Sequence, residues 1–433
     1  MLATTQDAPR PGTSDLSAES HLLFSLTFAV CVVIPHSLQA VTAALMAATA
    51  ATCLFTLRSS SRIGYLGICY ILGVVVTCVY VVVGMVRGAP CEAVYQTIAI
   101  YIVSPMLWMI MLRTMLQRNG AVWITGYLVK LAWLCCASVA LFFYLYLNFG
   151  KTAVTFFIEE ANINIRGGFS GATMHVYGSL IFLTAALFAA PEVVANKLNR
   201  VLLLLALVVS ALTSGRAALI VAVPVGLLVG FFVRRVEHRD GGLVRAARGS
   251  WLRYLLIFLT VVGAVALLDA LVEDIDLSVI IDALLDKIER GGGEARIDQS
   301  AALLSGTLDY SGLGAGHGIG ASVQRSDYAW RYENVPLAVL FKVGVIGSAI
   351  YVLPFVIYVA RVVGRILTGT LGSIDKFMFA GFVGVFLAAS TNPYLESFIF
   401  QWMFILPLVA LGIEPRPPAE ARTWPGWPQS EAR

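Results

Sequence analysis

Three arginines stand in sequence contexts that favour anion binding, and Arg216 is the first of them. It follows Thr213, Ser214 and Gly215 in a very short turn between two apolar segments. A guanidinium between two hydrophobic helices is costly unless it meets an anion or water. The alternative is an arginine that reaches the membrane surface. The pattern predicts an anion site at Arg216, with Ser214 as a supporting hydroxyl donor.

Arg166 and Arg296 both lie beside runs of glycine. Arg166 opens the glycine-rich segment 166–173, and Arg296 follows the triple glycine 291–293. Glycines free backbone N–H groups near a helix start, a common setting for a phosphate oxyanion. A triple glycine is a hinge, so Arg296 can swing over a bound substrate. The alternatives are an ordinary glycine-rich helix entry for Arg166 and, for Arg296, a solvated arginine paired with a neighbouring acidic residue.

Four polar residues further along the chain complete the candidate site. Glu333, followed by Asn334, lies at the mouth of an apolar segment, where partial loss of solvation suits a carboxylate to general-base catalysis. An acidic residue favoured by the helix dipole is the alternative. His317, within the glycine-rich run 312–320, is the second choice of base. Lys342, two turns into the apolar segment, either reaches the surface or pairs inside the bundle.

The composition excludes a water-soluble protein. Of the 433 residues, 58% are apolar and 13% are charged, with a mean hydropathy of +0.82. Soluble globular chains carry roughly a quarter charged residues. The composition also excludes a disordered chain, a coiled coil and a secreted disulfide scaffold, and it indicates a polytopic helical membrane protein. The cysteines and histidines show no metal-ligand spacing, and Asp274-Ile275-Asp276, which has the DxD spacing of metal-dependent glycosyltransferases, is nearly expected by chance in so acidic a segment. The sequence also has no nucleic-acid signature, so we expect no metal cofactor and no nucleic-acid partner.

Charged residues punctuate the chain and predict an all-α protein with about 12 transmembrane helices within residues 21–413, at roughly 20 residues per crossing. Basic residues in five short loops fall on one side, which is therefore cytoplasmic. Residues 1–20 and 414–433 are predicted to be disordered cytoplasmic ends. The ninth helix is predicted at 254–268. After it, the segment 272–333 has 11 acidic and 5 basic residues and is predicted to be a large, functional outer loop before the tenth helix.

The order of these features resembles the bacterial O-antigen polymerase and O-antigen ligase superfamily over residues 160–396. The motifs that carry the resemblance are degenerate but occur in the family's order. They are Arg166 with Gly168-Phe169, Ser214-Gly215-Arg216, Arg296, the glycine run 312–320, Glu333-Asn334, the Gly-x-x-Gly segment 344–347, and Thr391-Asn392-Pro393. Two departures stand out: the Pro-Asn that usually follows the first motif is absent, and Glu333 replaces the histidine usual in the ligases.

The resemblance implies a membrane glycosyltransferase of the bacterial inner membrane that acts at the periplasmic face. It would use polyprenyl-diphosphate-linked oligosaccharides as donor and acceptor, with membrane lipid around them and a flippase and a chain-length regulator as partners. Arg216, Arg296 and Arg166 would grip the diphosphate leaving group, and Glu333 or His317 would deprotonate the acceptor, giving inversion. Because polymerases vary more at the position of Glu333, a polymerase is favoured. The alternatives are a ligase and a flippase or transporter.

Overall fold

The computed structural model describes residues 13–34, 39–56, 64–155, 162–166, 169–173, 176–214, 216–237, 293–323 and 328–412. This part of the chain is mostly helical, as the composition predicts. Its helices are α1 Thr13–Val33, α2 Gln39–Thr56, α3 Tyr65–Val86, α4 Cys91–Ile98, α5 Ser104–Phe149, α6 Lys151–Thr155, α7 Val176–Ala189, α8 Lys197–Thr213, α9 Ala217–Glu237, α10 Gly293–Asp309, α11 Val335–Leu367, α12 Ser373–Ala388 and α13 Trp402–Gly412. A π-helical turn, Ala99–Val103, joins α4 to α5, and short 3-10 turns span Pro191–Val193 and Tyr394–Glu396.

Three of the described helical segments are long and apolar enough to cross a membrane: Tyr65–Val86, Cys91–Phe149 and Val335–Leu367. Five shorter apolar helices accompany them: Ala18–Val33, Gln39–Phe55, Val176–Ala189, Ala217–Val233 and Trp402–Gly412. The predicted ninth helix at 254–268, and residues 272–292 of the predicted outer loop, lie outside the described residues. The count of twelve spans therefore stays a prediction.

The longest of these segments, Cys91–Phe149, is broken by a change of backbone direction. Gly120 has φ 78° and ψ 166°, which are not helical angles, so α5 consists of two helices that meet at this glycine. Glycine adopts such angles without the steric penalty that a side chain would add. The part before Gly120, together with α4 and the π-helical turn, has the length of a membrane crossing, and so has the part after Gly120.

A small β-ribbon interrupts the helical pattern before α7. Strands β1 Asn162–Arg166 and β2 Phe169–Thr173 are antiparallel, and Arg166 is paired with Phe169. Isoleucine and asparagine alternate along β1, which is the two-residue period of a strand. The segment 166–173 is therefore not the start of a helix, as the sequence suggested, because α7 begins only at Val176. A two-stranded ribbon leaves the all-α class unchanged.

The N-terminal helix begins earlier than the sequence predicted. Helix α1 starts at Thr13 and so includes part of the segment 1–20 that was expected to be disordered. Small polar residues such as those at 13–15 are favoured at helix starts, which explains the earlier boundary. Residues 1–12 and 413–433 lie outside the described residues.

Helix α7 lies at the centre of the bundle. All of its residues are buried, and it packs against α5, α9 and α12. Phe182 of α7 meets Trp402 of α13 edge to face, with ring centroids 5.1 Å apart. By contrast, α3 has a largely exposed apolar surface, which suits contact with lipid chains.

Helix α11 is broken at Gly344, next to the glycine run 312–320. Gly344 has φ 65° and ψ −173°, so the regular i to i−4 hydrogen bonding stops there. The carbonyls of Phe341 and Lys342 instead accept hydrogen bonds from the N–H groups of Ala315 and Gly316, at 2.7 and 2.9 Å. On the far side of the break, Val345 N–H donates to the carbonyl of Gly312 at 2.9 Å.

The other side of the glycine run lies against α3. His317 N–H donates to the Tyr80 carbonyl at 2.9 Å, and Arg87 Nη1 donates to the carbonyls of Gly314 and Ala315 at 2.8 and 2.9 Å. The glycine run is therefore an ordered strap between two helices rather than a free loop. A Cβ atom on Gly314 would lie 2.6 Å from the Gly344 nitrogen.

Polar side chains also gather at the opposite end of α11. Arg365 Nη1 lies 3.0 Å from Asp375 Oδ2, and the Arg361 guanidinium lies 3.9 Å from the centre of the Tyr65 ring. The part of α11 after the break at Gly344, residues 345–367, spans about 35 Å at the usual rise per residue. The two ends of the bundle therefore have distinct sets of polar groups.

Replacement of Gly314 by alanine is expected to destabilise the fold by about 1–3 kcal/mol, since the added methyl group would overpack the break in α11. The φ of +91° at Gly314 adds further strain for any residue with a side chain. Thermal unfolding of the purified variant measures the loss. Gly73→Ala in α3 is the matched control, because its Cβ would meet no atom within 4 Å. Equal stability of the two variants would contradict the proposed packing.

Candidate active site

Arg216 lies beside the turn that joins α12 to α13. Its Nη1 donates to Asn392 Oδ1 at 3.3 Å, and its guanidinium lies against the hydroxyl of Tyr394. Two of the sequence motifs, 176 residues apart, therefore meet in space. Ser214 is buried and serves the backbone: its hydroxyl donates to the Ala211 carbonyl at 2.7 Å and accepts from the Arg216 N–H at 3.0 Å. Ser214 therefore shapes the turn at Arg216. Its hydroxyl is used by the backbone, whereas the sequence predicted a donor to the ligand.

Arg216 has no carboxylate partner among the residues that the structure describes. In that part of the chain its guanidinium donates to the neutral amide of Asn392. The hydroxyl of Tyr177 lies within electrostatic reach of the guanidinium. That hydroxyl is buried and makes no hydrogen bond to any described residue. An uncompensated cation beside an unsatisfied polar group suits an anionic ligand with oxygen atoms.

Lys342 pairs inside the bundle, which is one of the two alternatives that the sequence left open. Its Nζ lies 2.7 Å from Glu396 Oε1, and the two side chains are only 6% and 10% exposed. The hydroxyl of Tyr101 donates to the same carboxylate oxygen at 2.5 Å. Tyr101 lies on the π-helical turn, a distortion that often accompanies functional sites.

The turn that carries Glu396 is held by the amide of Gln401. Gln401 Nε2 donates to the carbonyls of Ile100 and Leu395, at 2.8 and 3.1 Å, and its Oε1 accepts from the Ser104 hydroxyl at 2.7 Å. These bonds tie the end of the 3-10 turn to the π-helical turn and to the start of α5. The position of Glu396 relative to Tyr101 is therefore fixed from both sides.

His317 is buried next to the same cluster. Its side chain shares a hydrogen bond of 3.2 Å with the Tyr351 hydroxyl, and its ring lies 5.1 Å from the Tyr101 ring. Burial, and after it the nearby cation of Lys342, lower the pKa of His317 to about 3. At neutral pH the imidazole is therefore uncharged and binds protons weakly. This argues against the predicted role of His317 as the second choice of base.

The predicted base Glu333 is bound by one of the predicted phosphate ligands. Arg296 Nε lies 2.7 Å from Glu333 Oε2, and the two side chains are 42% and 33% exposed. The partner of Arg296 is thus a carboxylate 37 residues away rather than a neighbour in sequence. The backbone N–H of Glu333 donates to Gln299 Oε1 at 3.1 Å, which ties the start of α11 to α10.

Asn334 has a structural role at the start of α11. Its Oδ1 accepts from the Leu337 N–H at 3.3 Å, as an N-cap residue does, and its Nδ2 donates to the Ser300 hydroxyl at 3.3 Å. Both ends of the amide are therefore used in joining α10 to α11. For Arg166 the structure gives only the backbone, in β1, and its side chain lies outside the described part of the chain.

The predicted residues form two groups rather than one. Arg216 and Lys342 both meet the turn 391–396, whereas the Arg296–Glu333 pair lies at the start of α11. Lys342 lies seven residues into α11, and its Nζ lies 5.6 Å from the centre of the Tyr332 ring, next to Glu333. The predicted residues thus divide between the turn 391–396 and the contact of α10 with the start of α11.

Glu396 and Tyr101 were missed by the sequence prediction. Glu396 is the only acidic residue between Asp375 and Glu414, and its isolation among apolar residues is the one signal that the sequence offers. Tyr101 has no comparable signal, because a tyrosine in an apolar segment is common.

Comparisons with known proteins add no relative to this picture. No protein-family model matches the chain, and no curated protein matches it.

The buried Lys342–Glu396 pair is expected to contribute far more to stability than the more exposed Arg296–Glu333 pair. Glu396→Ala should lower the free energy of unfolding by about 3–5 kcal/mol, because it leaves the Lys342 ammonium buried without an anion. Glu333→Ala is the matched control and should cost about 0–1 kcal/mol, since its partner is largely solvated. Denaturant unfolding of the purified variants measures both. Similar losses of unfolding free energy in Glu396→Ala and Glu333→Ala would show that the Lys342–Glu396 pair is not isolated from water.

The buried imidazole predicts a loss of stability in acid. The pKa of His317 is about 3 in the fold and 6.5 ordinarily, so the unfolded chain binds a proton that the fold rejects. Stability should be constant above pH 6.5 and fall as the pH drops from 6.5 toward 3. Thermal unfolding at several pH values should show a shallower loss for His317→Gln. Tyr351→Phe, which keeps the imidazole, should retain the wild-type slope; a slope unchanged in His317→Gln would refute this assignment.

Proposed function

We propose that this protein is a membrane glycosyltransferase that joins polyprenyl-diphosphate-linked oligosaccharide repeats into a polysaccharide. The observation that carries the proposal is the position of Arg216. Its guanidinium lacks a carboxylate partner among the described residues and faces the turn 391–396, which also carries the Lys342–Glu396 pair. This arrangement supports a role for Arg216 in binding an anionic leaving group, close to a turn whose carboxylate could take part in proton transfer.

A diphosphate leaving group already activates the donor sugar, so the reaction as proposed uses no nucleotide sugar and no metal. The enzyme must stabilise about two negative charges that develop on the departing diphosphate. An arginine does this well, because its planar fork binds two phosphate oxygens and stays protonated at neutral pH. The buried hydroxyl of Tyr177 is a further donor within reach of Arg216. Arg166 remains a proposed third donor, on the resemblance alone.

The Arg296–Glu333 ion pair is suited to open when the substrate enters the site. An ion pair that is about one-third exposed is worth about 0–1 kcal/mol, so little free energy opposes its opening. A diphosphate with two charges would compete for Arg296 and release Glu333. Arg296 would then add to the charge stabilisation begun by Arg216.

The distribution of polar groups supports an orientation. Arg361, Arg365 and Asp375 lie at the end of α11 remote from the site, in a segment whose excess of basic residues indicates the cytoplasm. The site would then face the periplasm from the bacterial inner membrane, with both termini in the cytoplasm. The membrane lipid, the lipid-linked donor and acceptor, a flippase and a chain-length regulator would be its partners. A ligase, which would transfer finished glycan to another acceptor, uses the same chemistry.

A transporter is the second candidate, and the break in α11 favours it. Transporters place ionisable residues at interrupted helices inside the bundle. Lys342 lies two residues before Gly344, and its pair with Glu396 is buried. Passage of labelled lipid-linked sugar across liposomes by the purified protein, without bond formation, would favour this function.

Arg216→Ala is expected to reduce polymer formation at least 100-fold, since removal of one oxyanion donor costs about that much. Lipid-linked single repeats should accumulate in cells that carry the variant. Arg216→Lys should restore little activity, because an ammonium cannot replace the guanidinium fork. The matched control is Arg361→Ala, the same change at the other end of the bundle, which should leave polymerisation near wild type. Polymer of normal length from Arg216→Ala would exclude the proposed function.

A further inference from the structure

We infer that Glu396, rather than Glu333, accepts the proton from the attacking hydroxyl of the acceptor sugar. The inference rests on the proposed function and adds a residue that sequence patterns do not reveal. It follows from three features: the place of Glu396 on the turn that Arg216 contacts, the geometry of its carboxylate, and the charges around it.

Glu396 shares a single 3-10 turn with Tyr394, a second residue close to Arg216. Tyr394, which lies against the guanidinium, is two residues before it, and such a turn rises about 2 Å per residue. One short rigid element therefore sets the distance between the leaving-group site and the carboxylate. Glu333, by contrast, is bound to Arg296 just before the start of α11.

The two oxygens of the Glu396 carboxylate have different surroundings. Oε1 receives both hydrogen bonds, from Tyr101 at 2.5 Å and from Lys342 at 2.7 Å. Oε2 receives no hydrogen bond from the residues that the structure describes. It is also not fully enclosed by protein atoms. One oxygen is thus fixed while the other stays open to a bound hydroxyl. A base oriented in advance loses little entropy on reaction.

The groups around Glu396 leave it as the proton acceptor of the cluster. Lys342, from α11, is the cation that faces it, and Tyr101 faces it from the π-helical turn. Tyr332 and Tyr351 lie within electrostatic reach, and burial raises the pKa of Tyr332 to about 12, so this phenol stays neutral. His317 also stays neutral at pH 7, since its pKa is about 3.

The step balances with the groups named. The acceptor hydroxyl oxygen attacks the anomeric carbon of the donor, and its proton passes to Glu396 Oε2. The bond between the anomeric carbon and the diphosphate oxygen breaks, and its electron pair leaves with the diphosphate, which Arg216 holds. Water then takes the proton from Glu396. Lys342 positions the carboxylate through its contact with Oε1.

The experiment compares Glu396→Gln with Glu333→Gln in purified, lipid-reconstituted protein supplied with a lipid-diphosphate-linked oligosaccharide. Glu396→Gln keeps the shape of the side chain and removes the base, so kcat should fall 10²- to 10⁴-fold. The KM for the donor should change less than threefold, because Arg216 is intact. Glu333→Gln should lower kcat less than tenfold, and Asp375→Asn, the same kind of change at the other end of α11, is the matched control and should keep kcat near wild type. Wild-type turnover by Glu396→Gln overturns the inference.

A second variant separates catalysis from folding. Lys342→Gln combined with Glu396→Gln removes both charges and leaves no buried ion unpaired. The double variant should fold, bind donor and lack turnover; turnover near wild type overturns the inference.

Arg216→Ala distinguishes a failure of this inference from a failure of the proposed function. Loss of polymer in Arg216→Ala with normal turnover in Glu396→Gln defeats the inference alone, whereas normal polymer from Arg216→Ala defeats the proposed function.

Discussion

A buried ion pair organises this end of the molecule. Transfer of Lys342 and Glu396 from water costs several kcal/mol for each ion, and only close contact with further hydrogen bonds offsets it. The 2.7 Å contact and the bond from Tyr101 supply that compensation. Each requires backbone geometry outside the regular helix: a π-helical turn for Tyr101 and a 3-10 turn for Glu396. The irregular elements of the site thus follow from the need to bring two charges together.

The break in α11 also leaves buried polar groups that need partners, in this case groups of the backbone. Carbonyl groups freed inside an apolar bundle are costly unless another segment satisfies them. The glycine strap does so, with the N–H groups of Ala315 and Gly316 directed at Phe341 and Lys342. Side chains on Gly314 or Gly344 would prevent this approach. The alternating glycines are therefore explained by backbone packing, and they need no bound nucleotide.

The sequence predicts the helical class well, because apolar segments of membrane length have few other solutions. It also identifies Arg216, since a charge between two hydrophobic runs is costly wherever it lies. It does not predict Glu396 as part of the site, because the carboxylate acquires its role from Lys342 and Tyr101, which are 54 and 295 residues away. The misassignment of Ser214 has a similar cause: only the three-dimensional turn shows that its hydroxyl is used by the backbone.

The large separations along the chain bear on how the protein is made. Tyr101 enters the membrane long before the ribosome reaches residue 396, and contacts between such distant residues form late. Until then the Lys342 ammonium has no counter-ion from this turn. A nascent chain that ends before this turn would thus carry Lys342 without the carboxylate that neutralises it. The buried pair is completed only when the last part of the chain has been made.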